Sequence, residues 1–262
     1  MRTELLTSPA NPLLKEIRRA ISRGAQTPSG YCIAETFHLL EEALRSDCEV
    51  SAVVAAESVR PAVQAHVGRL PGVRLIIVGD ELFQALSGTE SAQGVMALVR
   101  PPAWNLDQLF RGDSLLIVLD GIQDPGNAGA ILRAAEAFGA TGAMFLKGTV
   151  SPYNPKTVRA SAGSVFRVPL VAGLDAPLAR AALEQRRLDT YVAMPTGKKD
   201  LGDVDLRRKC AFIIGSEGRG VSETLRNGAL DLRIPVTGVE SLNAAMAAGI
   251  LLYEARRRRT VK

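Results

Sequence analysis

Apolar positions recur along this chain at two spacings. Between residues 12 and 24, Leu13, Leu14, Ile17 and Ile21 follow one face of a helix. Asn11-Pro12 supplies an N-cap and a proline at the first helical position, and Gly24 supplies the stop. Lys15, Arg18, Arg19 and Arg23 fill the other face. Short apolar runs then alternate with helical patterns. Strands are expected at 31–34, 50–55, 73–78 and 95–99, and helices at 36–45, near 61–69 and at 80–86. This alternation predicts a small layered α/β domain.

Two adjacent prolines, Pro101-Pro102, forbid continued helix or strand and mark the best linker. We therefore expect a first domain over 1–100, a linker over 101–112 and a second domain over 113–262. The second also reads as α/β. Its strand 114–119 is apolar at every position after Ser114, as in a parallel sheet buried on both faces. Further strands are expected at 143–146, 166–170, 190–193, 211–214 and 232–234, with helices at 128–138, 177–187, 223–227 and 243–259.

Composition narrows the class. The chain has 262 residues, of which 47% are hydrophobic and 23% charged, the mixture of a soluble globular protein. Cys32, Cys48 and Cys210 form neither a disulfide framework nor a metal knuckle, and two histidines do not make a zinc site. A reducing compartment and no structural metal are expected. The most apolar stretch, 242–253, is interrupted by Asn243 and falls short of the ~20 residues of a membrane span. The N-terminus has an early acid and no apolar core of a signal peptide, so the expected location is the cytoplasm. Charge is uneven. Residues 1–108 carry 10 Lys+Arg and 12 Asp+Glu, a net −2, whereas 109–262 carry 22 and 15, a net +7. A basic C-terminal half points to an anionic partner, with nucleic acid first.

Three segments can carry chemistry. The first, 120–133, runs from an apolar strand into an alanine-dense helix; Pro125-Gly126 fits a type II turn with glycine at positive φ. Arg133 stands out in that helix, and its plain reading is an i,i+3 pair with Glu136. The second, 213–222, ends a strand in a loop with glycines at 215, 218 and 220. It is neither a P-loop nor Gly-x-Gly-x-x-Gly, and Glu217 suits a hydroxyl or cation better than a phosphate. Alternatively it is an ordinary turn with Ser222 capping the next helix. The third, 234–250, passes through a loop into a small-residue helix that Ser241 or Asn243 could cap.

Together the three segments resemble motifs 1, 2 and 3 of the SpoU/TrmH branch of the SPOUT RNA methyltransferases. They read Asp-Pro-Gly-Asn-x-Gly-Ala-Ile-x-Arg, Gly-Ser-Glu-Gly-x-Gly-x-Ser and Ile-Pro-x-x-Gly-x-Glu-Ser-Leu-Asn, in that order. Asn154–Gly163 also resembles a family segment, and the likeness covers about 114–256. The N-terminal half, with Thr7-Ser8-Pro9-x-Asn11-Pro12, is similar to the RNA substrate-binding domain often fused to this branch.

The resemblance implies a parallel sheet whose C-terminal segment threads a deep trefoil knot, a topology that general connectivity rules would exclude. It implies S-adenosylmethionine as methyl donor, with Gly215, Ile234 and Leu242 at the cofactor positions. Asn127, Arg133, Glu217, Ser241 and Asn243 match the functional polar residues, and a homodimer with the active site near its interface is implied too. The expected activity is methylation of a ribose 2′-hydroxyl, in ribosomal rather than transfer RNA. A non-catalytic RNA binder of the same fold and a dinucleotide-dependent enzyme are the alternatives. Lys15, Arg18, Arg19, Lys156 and Arg159 are candidate RNA contacts. The run Arg256–Arg259 either compensates a helix dipole or meets RNA backbone.

Overall fold

The computed structural model describes residues 2–68, 72–89 and 92–260. They divide into two compact units. One takes the chain up to Pro102 together with Tyr153–Phe166; the other takes Ala103–Pro152 and everything from Arg167 on.

The first unit opens with β1 (Arg2–Leu6), a strand the apolar pattern does not predict. Only Leu5 and Leu6 are apolar in it, it lies at a sheet edge, and Leu5 is exposed. In α1 (Pro12–Arg23), Asn11 Oδ1 accepts the Leu13 N–H at 2.9 Å and Gly24 closes the helix at φ 60°. Then follow β2 (Cys32–Glu35), α2 (Phe37–Arg45), β3 (Glu49–Ala56), α3 (Arg60–Val67), β4 (Arg74–Val78), α4 (Asp80–Leu86) and β5 (Val95–Arg100). The expected end of the third helix, at Arg69, lies outside the described residues. The sheet order is β1-β4-β3-β5-β2, parallel from β1 to β3 and antiparallel beyond. Leu14, Ile17, Val54, Ile76, Phe83 and Met96 form the core beneath it.

Residues 103–112, expected as linker, pack with the second unit: Asn105 caps a short 3-10 turn, Leu106–Leu109, whose Leu109 is fully buried. β6 (Leu115–Asp120), α5 (Pro125–Ala137) and β7 (Gly142–Leu146) come next. The chain then contributes α6 (Pro155–Ala160) to the first unit, where it packs on β2. The cause is electrostatic as well as apolar. Glu35, at the end of β2, is only 3% exposed, and a buried carboxylate needs partners. Arg159 Nη1 donates to its Oε2 at 3.2 Å, and the hydroxyls of Ser87 and Thr89 donate to Oε1. Tyr153–Phe166, expected inside the second domain, is thus seated in the first unit.

The second unit resumes with β8 (Leu170–Leu174), α7 (Ala176–Gln185), β9 (Asp189–Ala193), β10 (Lys199–Asp200), β11 (Cys210–Gly215), α8 (Glu223–Arg226), β12 (Leu230–Arg233) and α9 (Ala244–Thr260). The strand expected at 166–170 is displaced. Val165, Phe166 and Val168 are buried around a 3-10 turn, whereas β8 is an edge strand that buries one residue in five. Burial without a strand misleads the apolar pattern there. Seven strands run parallel in the order β10-β12-β9-β11-β6-β7-β8. From β6 the chain moves outward through β7 and β8, then resumes on the far side of β11. Strand order therefore reverses between β6 and β11, and the crevice outside the carboxyl ends of strands at such a reversal favours ligand binding. Register places Gly215 beside Asp120 at that point.

Candidate active site

Residues 120–127 do not form the turn that Pro125-Gly126 suggests. Pro125 opens α5 three residues earlier than expected, because Asp124 Oδ1 accepts the Asn127 N–H at 2.7 Å as an N-cap. Gly126 is helical; its value is space, since a Cβ there would stand 2.9 Å from Asp124 Oδ1. The positive φ belongs to Gly121, at 77°, where the chain leaves β6. Its N–H donates to Thr149 Oγ1 at 2.9 Å, and that hydroxyl donates to the Leu119 carbonyl at 2.9 Å.

The glycine-rich loop folds back on the end of β11. Gly220 N–H donates to the Ser216 carbonyl at 2.8 Å, and Ser216 Oγ accepts the Arg219 N–H at 3.2 Å. Gly215 has no room for a side chain: a Cβ would lie 2.3 Å from the Gly220 carbonyl carbon. Asp120 Oδ2 accepts the Ser222 N–H at 2.7 Å and ties the loop to the neighbouring strand. Ser222 sits at the N-cap of α8, but its side chain does not cap the helix, and Oγ is buried without a hydrogen-bond partner among the described residues.

Asn127 joins all three segments. Its Nδ2 donates to Glu217 Oε1 at 2.7 Å, and its Oδ1 accepts Asn243 Nδ2 at 2.9 Å. Asn243 also caps α9, its Oδ1 accepting the N–H groups of Ala245 and Met246 at 2.9 and 3.3 Å. Capping and bridging are therefore done by one side chain. Beside this network lies a cavity of about 250 Å³. Gly215, Ile234 and Leu242 line it, as do Glu217 and Ser241. Its apolar wall is completed by Met194, Ile214, Leu232 and Val236.

Arg133 lies further along α5, exposed, and is not in the cavity wall. The expected pair with Glu136 does not form: Glu136 binds Arg167, and Arg133 has no ion pair or hydrogen bond among the described residues. Lys15, Arg18 and Arg19 are exposed on α1, and Lys156 is exposed on α6. Arg159 is committed to Glu35, so its charge already neutralises a buried acid and does not stand free for phosphate. The run Arg256–Arg259 divides in function. Arg258 donates to the carbonyls of Val204, Leu201 and Gly202, and Arg259 to those of Leu206, Asp113, Ser114 and Arg208. Arg257 pairs with Glu254. Only Arg256 of the four has no side-chain partner among the described residues.

Sequence reasoning assigned no role to Asp120, Thr149 or Met194. Asp120 carried a signal, being the one charge that ends a wholly apolar strand. Thr149 and Met194 carried none, since their roles depend on which loops meet. Burial pushes the thiol of Cys32 up to about 12 and that of Cys210 to about 11, so neither serves as a nucleophile. Among the described residues no cluster of three or more His, Cys, Asp or Glu could hold a metal ion, and no helix is long and apolar enough to cross a membrane.

Residues 114–253 match the model of the SpoU rRNA methylase family, and residues 11–97 match the MRM3-like substrate binding domain. An uncharacterised tRNA/rRNA methyltransferase of Synechocystis sp. is 32% identical, over 96% of this chain and 93% of that protein. The 23S rRNA (guanosine(2553)-2′-O)-methyltransferase RlmP of Bacillus subtilis is 28% identical, over 96% and 98%. The solved structure of the SpoU methyltransferase AviRb from Streptomyces viridochromogenes, in complex with AdoMet, aligns with a TM-score of 0.85 at 28% identity, over 96% of this chain and 99% of that one.

Proposed function

The chain belongs to the SpoU rRNA methylase family, and from that premise we infer that it is an S-adenosylmethionine-dependent methyltransferase acting on a ribose 2′-hydroxyl of ribosomal RNA. The finer reading is a guanosine of the large-subunit RNA, the target named for RlmP. One observation carries the assignment to this site: Asn127 binds Glu217 and Asn243 at once, beside a cavity that Gly215, Ile234 and Leu242 line. A pure RNA binder has no need of that convergence, and a dinucleotide enzyme would call for a different glycine spacing.

The residues around the cavity fit a partly apolar cofactor. Gly215 lets the Gly220 backbone pack against the end of β11 and so shapes the cavity wall, and Ile234 and Leu242 offer apolar surface. S-adenosylmethionine, when bound, supplies a methyl group on a positively charged sulfur. As the ribose oxygen takes the methyl group its proton passes to a base other than Arg133; negative charge builds on that oxygen, and a fixed cation beside it lowers the barrier. Arg133 fills that role. A guanidinium stays protonated at neutral pH, so Arg133 acts as charge stabiliser and ribose-phosphate clamp, not as base. Asn127 holds Glu217 in place, Asn243 holds the loop that closes the cavity, and Ser241, exposed on the cavity wall, is left to meet the substrate. Alignment of two bound reactants supplies much of the acceleration.

The same reading includes the trefoil knot, a cytoplasmic location and a homodimer. Met246, Ile250 and Tyr253 stand exposed at i, i+4 and i+7 of α9; Tyr253 meets Phe138 edge-on, and the rest of this apolar stripe is open for a second copy to cover. Arg133 lies outside the cavity wall of its own chain, which suits a site completed near a dimer interface. The test is transfer of labelled methyl from S-adenosylmethionine to unmodified large-subunit ribosomal RNA, with the 2′-O-methyl mapped by comparing RNA from a deletion strain and its parent. A strain-dependent 2′-O-methyl on ribosomal RNA is expected; identical maps would overturn the substrate reading.

A further inference from the structure

The positive charge of the C-terminal half is not exhausted by the active site. β9, β11 and β6 are adjacent and parallel, so their N-terminal ends share one sheet edge, opposite the edge that carries Asp120 and Gly215. The strand entrances are stitched together: Lys209 O accepts the Asp189 N–H at 3.0 Å, and Ser114 O accepts the Cys210 N–H at 3.0 Å. α9 ends at the same edge, where Arg259 binds the carbonyls of Asp113 and Arg208 and so fixes the helix end. Arg256, on that helix end, shares a cavity of about 460 Å³ with Asp113, Leu115 and Arg207.

Five cations gather there without an ion pair or side-chain hydrogen bond, Arg208 alone acting at longer range on Asp205. Arg111 precedes β6, Arg187 precedes β9, Arg208 and Lys209 precede β11, and Arg256 comes from α9. All five are exposed, and none makes an ion pair or a side-chain hydrogen bond among the described residues. The acids nearby are fewer. Asp205 is held by Arg207 and Asp107 by Arg186, which leaves Asp113 and Asp189 at the strand entrances and Asp203 beside the carbonyls that Arg258 binds. Unpaired cations on a rigid base keep their full charge for a polyanion.

We infer that this edge is a second RNA-contacting surface, which grips the phosphate backbone of the substrate at a distance from the ribose being methylated. The inference rests on the RNA-substrate reading above. Strands of five or six residues put the two edges about 20 Å apart. A folded ribosomal RNA spans that distance and a mononucleotide does not. The surface also fits the charge distribution: the first unit carries 12 Lys+Arg and 11 Asp+Glu, a net +1, so most of the chain's net +5 lies on the second unit.

The test uses the full-length protein with Arg208, Lys209 and Arg256 each replaced by Ser. Equilibrium binding to an unmodified large-subunit ribosomal RNA transcript is measured across salt concentrations, with methyl transfer and S-adenosylmethionine calorimetry on the same preparations. Three lost phosphate contacts should make the slope of log affinity against log salt shallower by about 2 to 3. The RNA KM should rise, while kcat at saturating RNA and cofactor affinity stay unchanged. Should the triple variant fold poorly, Arg256→Glu alone should lower the slope by about 1 or more. An unchanged slope and KM would overturn the inference and leave an acidic protein as the occupant. Absence of methyl transfer by the wild type would instead sink the substrate reading, and the slope comparison would still decide RNA contact.

Discussion

Asn127 Nδ2 lies 2.7 Å from Oε1 of Glu217, ninety residues further along the chain, and this one bond orients the rest of the network. A carboxylate only accepts, so the amide nitrogen of Asn127 must face Glu217 and its oxygen must face Asn243. Asn243 then donates through Nδ2, which leaves its Oδ1 for the N–H groups that open α9. Asn127→Asp sets a second carboxylate against Glu217 and removes the donor. Methyl transfer should fall by roughly 10²-fold or more in single-turnover assays. Glu217 and Asn243 are exposed, so the melting temperature should barely move. Near-wild-type transfer would show that the network is ornament to the chemistry.

Gly215 gives a prediction about the cofactor. A Cβ there would meet the Gly220 carbonyl carbon at 2.3 Å and its oxygen at 2.5 Å, both of them backbone. The loop must move, and the cavity wall moves with it. Gly215→Ala should weaken S-adenosylmethionine at least about tenfold, or ~1.4 kcal/mol, by calorimetry. Affinity within twofold of wild type would place the cofactor elsewhere.

The legible elements are those whose local chemistry decides their form. α1 was readable because Asn11, Pro12 and Gly24 set its ends and Leu14 and Ile17 its buried face. β6 and β11 were readable because a parallel sheet buried on both faces leaves an uninterrupted apolar run. Edge strands β1 and β8 were not, since half-exposed strands lose that run. The seating of α6 was also hidden, because Glu35 and Arg159 meet across 124 residues and nothing local marks either. At the site, three ordered segments marked Asn127, Glu217 and Asn243, but not that one asparagine would bridge the other two. The arginine run had a single appearance in the sequence and three roles in the fold: carbonyl clamps, a carboxylate partner and a free cation.

The stripe on α9 predicts self-association. Met246 and Tyr253 are 59% and 52% exposed, large for apolar groups on one helix face. The full-length protein should sediment as a dimer at tens of micromolar, the range in which weak interfaces separate. Ile250→Asp places a charge in the centre of the stripe and should shift the protein toward monomer, with loss of methyl transfer and with the fold retained. A monomeric wild type would refute the dimer.

Acid stability should report the end of α9. Arg257 Nε and Arg258 Nε donate to Glu254 at 2.8 and 2.7 Å, and these bonds hold its carboxyl down to about 2 from an ordinary 4.5. A carboxyl depressed in the folded state stabilises above its unfolded value, and that contribution is lost as pH falls from about 4.5 towards 2. Wild type should therefore exceed Glu254→Gln in denaturant stability at pH 7, and the difference should shrink through that window and vanish near pH 2. A gap independent of pH would mean that the variant loses packing, not charge.

Arg133 offers the sharpest division between chemistry and surface. It carries no partner among the described residues, and Glu136, its expected companion, is taken by Arg167. If Arg133 stabilises charge on the attacking oxygen, Arg133→Ala should cost about 10²–10³ in single-turnover rate. Cofactor affinity should stay within about twofold, because the cavity wall does not include it. Lysine keeps the charge and loses the planar fork, so Arg133→Lys should restore only part of the rate. Stability should be unaffected in both variants, since no ion pair is broken. A solvated surface arginine predicts the opposite pattern: both variants would transfer methyl at the wild-type rate. That result would remove Arg133 from the reaction and shift the search for the stabilising cation to Arg219, which lies in the glycine-rich loop with Glu217.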